Sequence, residues 1–558
     1  MYLLLLALIV MPPNPYAKTK ALIIQPKFPA LMEKAEPLLE PPTGERAALV
    51  ILVDFNDNGA SYSADQFDSL IYGENQNSMR DYYSEVSHGK FTISKSSVIT
   101  QWVRAPRDYS YYIGDSFGIY PGTYPNNVQG IVVAACSLAD PVVDFSDFDK
   151  DGDGMVDAIF IVHAGPGAEE TGDPGCVWSH KWQLSNTGSG CPGAFQTNDG
   201  VVVDVYSMEP ERFETYSGRI TVGVFAHEFG HVLGLPDLYD TDYSTYGLGI
   251  FGIMAAGSWG RPHKDSLPGS TPTHFCAWSK YQFGWLDNLV EVTRYGVPKR
   301  EDVQVSAAAT SPFAVRMLED PNGADWETYS GGTGEYFLVE NRYQTGFDRG
   351  LPGNGLLILH IDDSRQDNDH EDHPLVGIMQ ADGDARFLLS DLGEDSDLWK
   401  NATYGFGDTT TPNSFDYDGN PTGVWVYDIG GAGSTITASF WVTPVFLGRV
   451  YSFPNPFIAR EEPSWGSKVI ITYVPSDTME LGQQFPSFKV SVFNIAGELV
   501  RILDSEPFEV DPYTRRAYWD LKNERGQNAV SGMYLYVIEV EKTGGNKERQ
   551  KGRLTIIR

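Results

Sequence analysis

The sequence predicts a multidomain α+β protein, with one mixed α and β unit followed by two β-sandwich-like domains. Three observations carry that reading. The chain has 558 residues, more than one hydrophobic core of about 150 residues accommodates. Helical periodicity is confined to the stretch before Leu286, after which short apolar runs alternate with Gly, Pro, Asp and Asn. The 30 Tyr, 29 Phe and 12 Trp beside 57 Gly and 35 Pro favour strands and tight loops.

Charge divides the chain further. Against 41 Lys and Arg stand 74 Asp and Glu, a net −33. Such a surface repels phosphate backbones, which excludes nucleic acid as the expected partner. Residues 446–558 hold 15 basic and 14 acidic side chains, so the acidity belongs to the first 445. Four cysteines exclude a disulfide-dense scaffold.

Residues 1–17 read as a signal peptide, because Leu3–Met11 is an apolar run too short to span a bilayer, with a buried N-terminal strand as the alternative. Nothing else is a transmembrane candidate. Residues 18–44, rich in Pro, Lys and Glu, read as a linker or remnant prosegment. In the unit 45–289, Ala47–Asp57 reads as a buried strand, as does Ala158–Gly165. Ser63 caps a helix carrying Phe67, Leu70 and Ile71 at helical spacing, and Asn127–Asp140 reads as a buried helix. Lys90–Val103 alternates as a strand does. Residues 290–445 (EYFLVENRY, GLLILHIDD, GVWVYDI, STITASFWV) read as a β-sandwich-like domain. Residues 446–558, with strands at regular spacing, read as a small immunoglobulin-like sandwich.

The chemistry concentrates in TVGVFAHEFGHVLGLPDLYD, Thr221–Asp240. His227 and His231 stand four apart, so a helix puts both imidazoles on one face, as two ligands of a tetrahedral zinc require. Glu228 projects beside the metal, where it takes a proton from water and later delivers one to a leaving amine. Gly234 sits where a helix end needs left-handed backbone, and Pro236 stops the helix. The turn brings Asp237 round as third ligand and leaves a fourth position open, as a catalytic site needs. Asp240 and Asp242 read as solvated loop acids or calcium ligands, and His163 as a structural histidine.

These residues form the string HExxHxxGxxD, and the chain resembles the immune-inhibitor-A family of metzincin-like zinc endopeptidases. The resemblance extends over about residues 45–445, through DYYSEVSHGKF (Asp81–Phe91), VWSHKW (Val177–Trp182), FCAWSKYQFGWL (Phe275–Leu286), EYFLVENRYQTGFD and GNGLLILHIDD. It implies a zincin-type catalytic domain with a methionine turn under the metal, a role that falls to Met254 in GIFGIMAAGSW. Through their places in the matched motifs, Tyr246 and His180 become pocket candidates, with structural hydrogen bonding as the alternative.

DFDKDGDGMVD places Asp149, Asp151, Asp153 and Asp157 at positions 1, 3, 5 and 9 of a calcium loop. Gly154 takes the sharp-turn position, and Phe160 replaces the usual final Glu. The loop therefore follows related logic without being an EF-hand, and Asp147 or a backbone carbonyl completes it. A second acidic run, His360–His373, reads as a charged surface loop or another cation site. Cys176 and Cys191 suit a local disulfide and Cys136 and Cys276 another, although four cysteines permit three connectivities.

YSFPNPF, then GELVRIL and YWDLKNERGQNAVSGMYLYVIEV, resemble the FlgD-type immunoglobulin-like fold and type IX secretion sorting tails. That implies export or cell-surface attachment machinery as a partner, with a purely structural appendage as the alternative. The expectation is a secreted, calcium-stabilised zinc endopeptidase that hydrolyses protein or peptide substrates through zinc-bound water activated by Glu228. A catalytically silent surface adhesin has no need of Glu228, and the turn to Asp237 argues against an exopeptidase with a downstream Glu ligand.

Overall fold

Apolar runs with no polar alternation end up covered on both faces, and they form the centre of the first sheet. The computed structural model describes residues 9–17, 41–94, 98–118, 123–185, 192–242, 244–294, 296–320, 323, 334–383, 391–443, 447–458, 468–475, 487–508, 511–541 and 547–557. Its first strands are β1 (Ile9–Val10), β2 (Leu49–Asp54), β3 (Val98–Ile99), β4 (Val103–Arg104), β5 (Ile159–Pro166), β6 (His180–Gln183) and β7 (Val205–Arg212). They make one seven-stranded sheet in the order β1-β6-β7-β5-β2-β3, with β4 also pairing β2. The middle is parallel, whereas β6 runs antiparallel to β7 and β1 antiparallel to β6.

Helices cover both faces. The helices include α1 (Ala64–Tyr72), α2 (Met79–Val86), α3 (Val128–Ala139), α4 (Val222–Val232) and α5 (Ala277–Gln282), of which α1, α3 and α4 are the three expected. In α1, Phe67, Leu70 and Ile71 are buried, as their spacing predicts. Asn127 caps α3 by accepting from the Gly130 N–H at 3.1 Å. That helix shares a core with Leu49, Ile51, Val53, Ile159 and Ile161. The opposite sheet face meets α4 through Phe160, whose ring lies 6.1 Å from Phe225 and 5.6 Å from Phe229. The expected single strand Lys90–Val103 is interrupted, with Phe91–Ile93 and β3 as separate pieces.

Residues 9–17, read above as the end of a leader, are built into this fold. Val10 and Met11 are buried, and Ile9 and Val10 pair with Lys181 and His180. The Met11 N–H donates to Ser179 O at 3.0 Å, while Trp178 Nε1 donates to Met11 O at 2.7 Å.

Beyond α5 the described residues hold no further α-helix, and the regular elements are strands with short 3-10 turns. Strands β8 (Asn288–Val292), β9 (Lys299–Ser306), β10 (Phe313–Met317), β11 (Glu335–Arg342), β12 (Gly355–Asp362), β13 (Val376–Ile378), β14 (Ala402–Gly407), β15 (Val424–Ile429) and β16 (Thr435–Val442) follow. They form a five-stranded sheet, β8-β10-β11-β12-β13, and a four-stranded one, β9-β16-β15-β14. Two compact units result. The first takes in residues 1–290, 302–421 and 425–439, so most of the stretch expected as a separate domain joins the residues before it. The second comprises residues 291–301, 422–424 and 440–558.

In the second unit, strands β17 (Leu447–Phe453), β18 (Phe457–Ile458), β19 (Val469–Pro475), β20 (Phe488–Asn494), β21 (Leu499–Asp504), β22 (Glu506–Phe508), β23 (Asp511–Trp519), β24 (Gly532–Glu541) and β25 (Lys547–Ile557) form two sheets. Their orders are β17-β19-β23-β22 and β18-β25-β24-β20-β21. One apolar cluster is shared between them, with Ile471 and Trp519 from the first and Val490, Tyr536 and Leu554 from the second. Among the described residues no helix is long and apolar enough to cross a membrane.

Candidate metal centre

Helix α4 presents the two histidines, and its surroundings decide which nitrogen each can use. Tyr83 of α2 donates to the carbonyl of Ala226 at 2.7 Å and lays its ring against Phe229, fixing the helix next to His227. His227 Nδ1 bonds Ile253 O and His231 Nδ1 bonds Leu235 O, each at 2.8 Å. A carbonyl accepts only, so both Nδ1 atoms carry the proton and both Nε2 atoms present lone pairs.

The helix ends as the sequence predicts. Gly234 has φ 96°, in the left-handed region. The Gly234 N–H bonds His231 O at 3.0 Å and the Leu235 N–H bonds Gly230 O at 3.1 Å, the paired bonds of a Schellman turn. That reversal returns Asp237 to the histidines. Asp237 Oδ1 stands 3.3 Å from His227 Nε2 and 3.2 Å from His231 Nε2, and the two Nε2 atoms are 3.1 Å apart.

This triangle fits a zinc ion. Donors about 2.0–2.1 Å from zinc at tetrahedral angles stand about 3.3–3.4 Å from one another. Two lone-pair nitrogens facing each other in a buried site repel unless a cation lies between them. His227 is fully buried, His231 nearly so, and Asp237 is 9% exposed. Burial lowers the His231 pKa. Burial opposes ionisation of Asp237 as well, but positive charge at the two imidazoles, a proton or a cation at Nε2, outweighs it and holds the carboxyl below its ordinary range.

Glu228 is fully buried, and among the described residues neither carboxylate oxygen makes a full hydrogen bond, although the Lys181 backbone N–H favours its ionised form. Burial, compounded by Glu209, Asp237 and Glu169, pushes its pKa well above the ordinary value. Glu209 of β7 and Glu169 are themselves buried, and burial raises both, Glu169 to about 7. Sequence reading passed over this acidic neighbourhood. Its trace there is a charge at position 209 inside a β-like run, whereas Glu169 stands in the Gly- and acid-rich stretch GPGAEETGD.

Met254 lies beneath α4. A Cβ at Gly230 would meet its sulfur at 2.5 Å, so the glycine between Glu228 and His231 lets the methionine close against the helix. The Leu238 N–H donates to Met254 O at 2.8 Å, tying the Asp237 segment to the same turn.

Two pocket candidates fare differently. His180 follows the structural alternative and is a core residue: Nδ1 bonds Trp178 O at 2.7 Å and Nε2 faces the Tyr206 hydroxyl at 3.2 Å. Burial lowers its pKa to about 4. Tyr246 is partly exposed on the loop after Asp237. His163 is buried against Tyr109, with Nδ1 on Ala164 O at 2.9 Å, as a structural histidine should be.

Asp149, Asp151 and Asp153 gather within 4.8 Å of one another. Asp157 is not in that group; it turns toward Arg46 at 3.4 Å and accepts from the Lys150 N–H. A second group brings together Asp240, Asp242 and Glu371, the last from the His360–His373 run. The pairing of Cys136 with Cys276 is incorrect. Cys136 is a free thiol in the α3 core, and Cys276 is a free thiol 3.5 Å from Ser279 Oγ. Cys176 is also free, and Cys191 lies outside the described residues.

Comparison with known proteins accords with this site. Immune inhibitor A of Bacillus thuringiensis subsp. alesti is 30% identical over 295 residues, covering 44% of this chain and 41% of the relative. The pre-pro-metalloprotease PrtV of Vibrio cholerae serotype O1 is 32% identical over 235 residues, covering 37% of this chain and 24% of the relative. The chain thus spans less than half the length of either. Among solved structures, CopC from Methylosinus trichosporium OB3b is 16% identical over 20% of this chain and 92% of its own, at a TM-score of 0.13. That score carries no argument. The triangle of His227, His231 and Asp237 lies within residues 44–286, and it is these residues that match the family described as immune inhibitor A peptidase M6, catalytic domain.

Proposed function

We propose that the chain is a secreted zinc-dependent endopeptidase of the HExxHxxGxxD kind. The observation that carries this reading is the buried set of two imidazole Nε2 atoms and one carboxylate oxygen, 3.1–3.3 Å apart, beside the fully buried Glu228. The match of residues 44–286 to a peptidase catalytic domain points the same way.

His227, His231 and Asp237 would hold the ion. Bound zinc supplies an electrophile that polarises a peptide carbonyl and lowers the pKa of water. Glu228 accepts the proton of the attacking water and passes it to the departing amine. A cation at the three ligands counteracts the burial that raises Glu228, moving its affinity for a proton back toward neutral pH. Ile253 O and Leu235 O hold both imidazoles in the tautomer that keeps Nε2 free.

The purified full chain is expected to retain about one zinc per molecule, and Asp237→Ala to lose it in dialysis against a weak chelator. Unchanged zinc content in folded Asp237→Ala would remove Asp237 from the ligand set.

Calcium stabilisation belongs to the same proposal. Asp149, Asp151 and Asp153 supply its carboxylates, and Asp157 is held near by Arg46. Calcium at about 100 times its dissociation constant adds about 2.7 kcal/mol, or about 5 °C in Tm for a domain of this size. A calcium-selective chelator that spares zinc is expected to lower Tm by that amount, and Asp149→Ala to abolish the difference. An identical melting curve with and without the chelator rejects calcium here.

For residues 446–558 the proposal is an immunoglobulin-like sandwich that serves export or surface attachment. Its near-neutral charge balance and its two sheets around one core support it.

A further inference from the structure

We propose that Asn368, from the acidic run His360–His373, is a positioning residue for the metal ligand Asp237. The inference rests on the zinc reading above.

Asn368 is 2% exposed. Its side-chain amide is zipped to one residue, with Oδ1 accepting from the Val376 N–H at 3.0 Å and Nδ2 donating to Val376 O at 3.0 Å. That double bond fixes the plane of the amide against β13. The second Nδ2 hydrogen then points to Leu238 O, 2.9 Å away. Leu238 follows Asp237 directly. Its own N–H is bound to Met254 O, and its carbonyl also accepts from the Leu248 N–H at 2.9 Å. The peptide next to the third ligand is therefore held at both ends, on one side by the turn beneath α4 and on the other by Asn368.

The neighbouring residues repeat the arrangement. Asp369 accepts from the Thr241 N–H at 2.8 Å and from the Thr241 hydroxyl at 2.7 Å, and Glu371 accepts from the Ser244 hydroxyl. The run thus holds Leu238, Thr241 and Ser244 from outside the matched residues 44–286. Its physical role follows from chain entropy. Asp237 sits beyond the helix end, on irregular backbone, and its carboxylate must meet two fixed imidazoles. A loop free to move would have to be ordered when metal binds, and Asn368 does that ordering in advance.

Partners that orient metal ligands typically change affinity about 10–100-fold when removed. The test uses the full chain and inorganic zinc in competition with a chromophoric chelator, with the visible spectrum of the cobalt-substituted protein as a second readout. Asn368→Asp keeps the shape and the Val376 N–H bond but has no hydrogen for Leu238 O. It is expected to bind zinc about 10–100-fold more weakly and to shift the cobalt spectrum, and Asn368→Ala is expected to do the same. The control is Asn341→Ala, since the buried Asn341 amide bonds Val305 O and Gly433 O and not the metal loop. It is expected to lose thermal stability at unchanged zinc affinity.

Folded Asn368→Asp with wild-type zinc affinity and an unshifted cobalt spectrum overturns the assignment. Equal weakening by Asn341→Ala overturns it too, because the effect would then be general destabilisation. A wild-type chain that takes up no zinc is a distinct result: it rejects the zinc reading itself, and the role of Asn368 with it.

Discussion

Glu228→Gln is expected to lower the rate of casein hydrolysis by about 10²–10⁴-fold, the usual contribution of a general acid–base group. Glutamine has the shape of glutamate, so α4 and the three ligands remain in place. It has no carboxylate to accept a proton. The buried position also predicts what happens to stability. Glu228 is fully buried in a site shared with Glu209 and Glu169, so an ionised carboxylate there is costly in the metal-free protein. The neutral amide removes that cost, and metal-free Glu228→Gln is expected to melt at the same temperature as the wild type or higher. Zinc content is expected to remain at about one per chain. Proteolysis within threefold of wild type in a metal-loaded Glu228→Gln preparation would take the proton-transfer role away from Glu228.

What could be read in the sequence was local. His227 and His231 declare their common face because the helix repeat is short and regular, and Gly234 declares the turn because few other residues tolerate φ 96°. The strands Leu49–Asp54 and Ile159–Pro166 were legible because burial on both faces leaves a continuous apolar run. Contacts set by tertiary packing were not. Nothing near Asn368 says that its amide meets Leu238, 130 residues earlier. His180 resembles a pocket histidine by motif, yet the pleat of β6 turns it toward Tyr206. Asp157 keeps calcium-loop spacing, yet it stands outside the group of three carboxylates, bound to the Lys150 N–H and to Arg46, which also pairs with Asp151. Cys136 and Cys276 could be paired on paper only because sequence says nothing about which cores they enter. In EYFLVENRY the charges at positions 340 and 342 look like surface residues, and both are buried.

That buried charge carries the largest expected effect on stability. Arg342 is fully buried, with Nε 2.9 Å from Asp348 Oδ2 and Nη2 2.6 Å from Asp348 Oδ1. Nη1 donates to Phe251 O, just before the Met254 turn, and lies 3.4 Å from Glu340 Oε1. Asp348 also accepts from the His274 N–H at 2.9 Å, and His274 faces both Glu85 and Lys280. Arg342→Met fills the space but leaves two buried carboxyl groups without their main counter-charge. Breaking such a pair costs about 3–5 kcal/mol. The sign of the pH dependence follows from Asp348. Burial alone would raise its pKa, but Arg342 and His274 outweigh burial and depress it. Its contribution to wild-type stability is therefore present above the ordinary carboxylate range and lost as pH falls through the lower folded value. Without Arg342 the carboxyl groups take up protons at higher pH, which relieves the unpaired charge. Urea midpoints should thus differ most at pH 8, and the gap should narrow toward pH 4. Arg342→Met/Asp348→Leu should recover much of the loss, because an apolar pair of similar volume is often as stable as a buried ion pair. A loss below about 1 kcal/mol for Arg342→Met, constant from pH 8 to pH 4, would mean that the cluster is solvated and that apolar packing holds residues 302–421 in place.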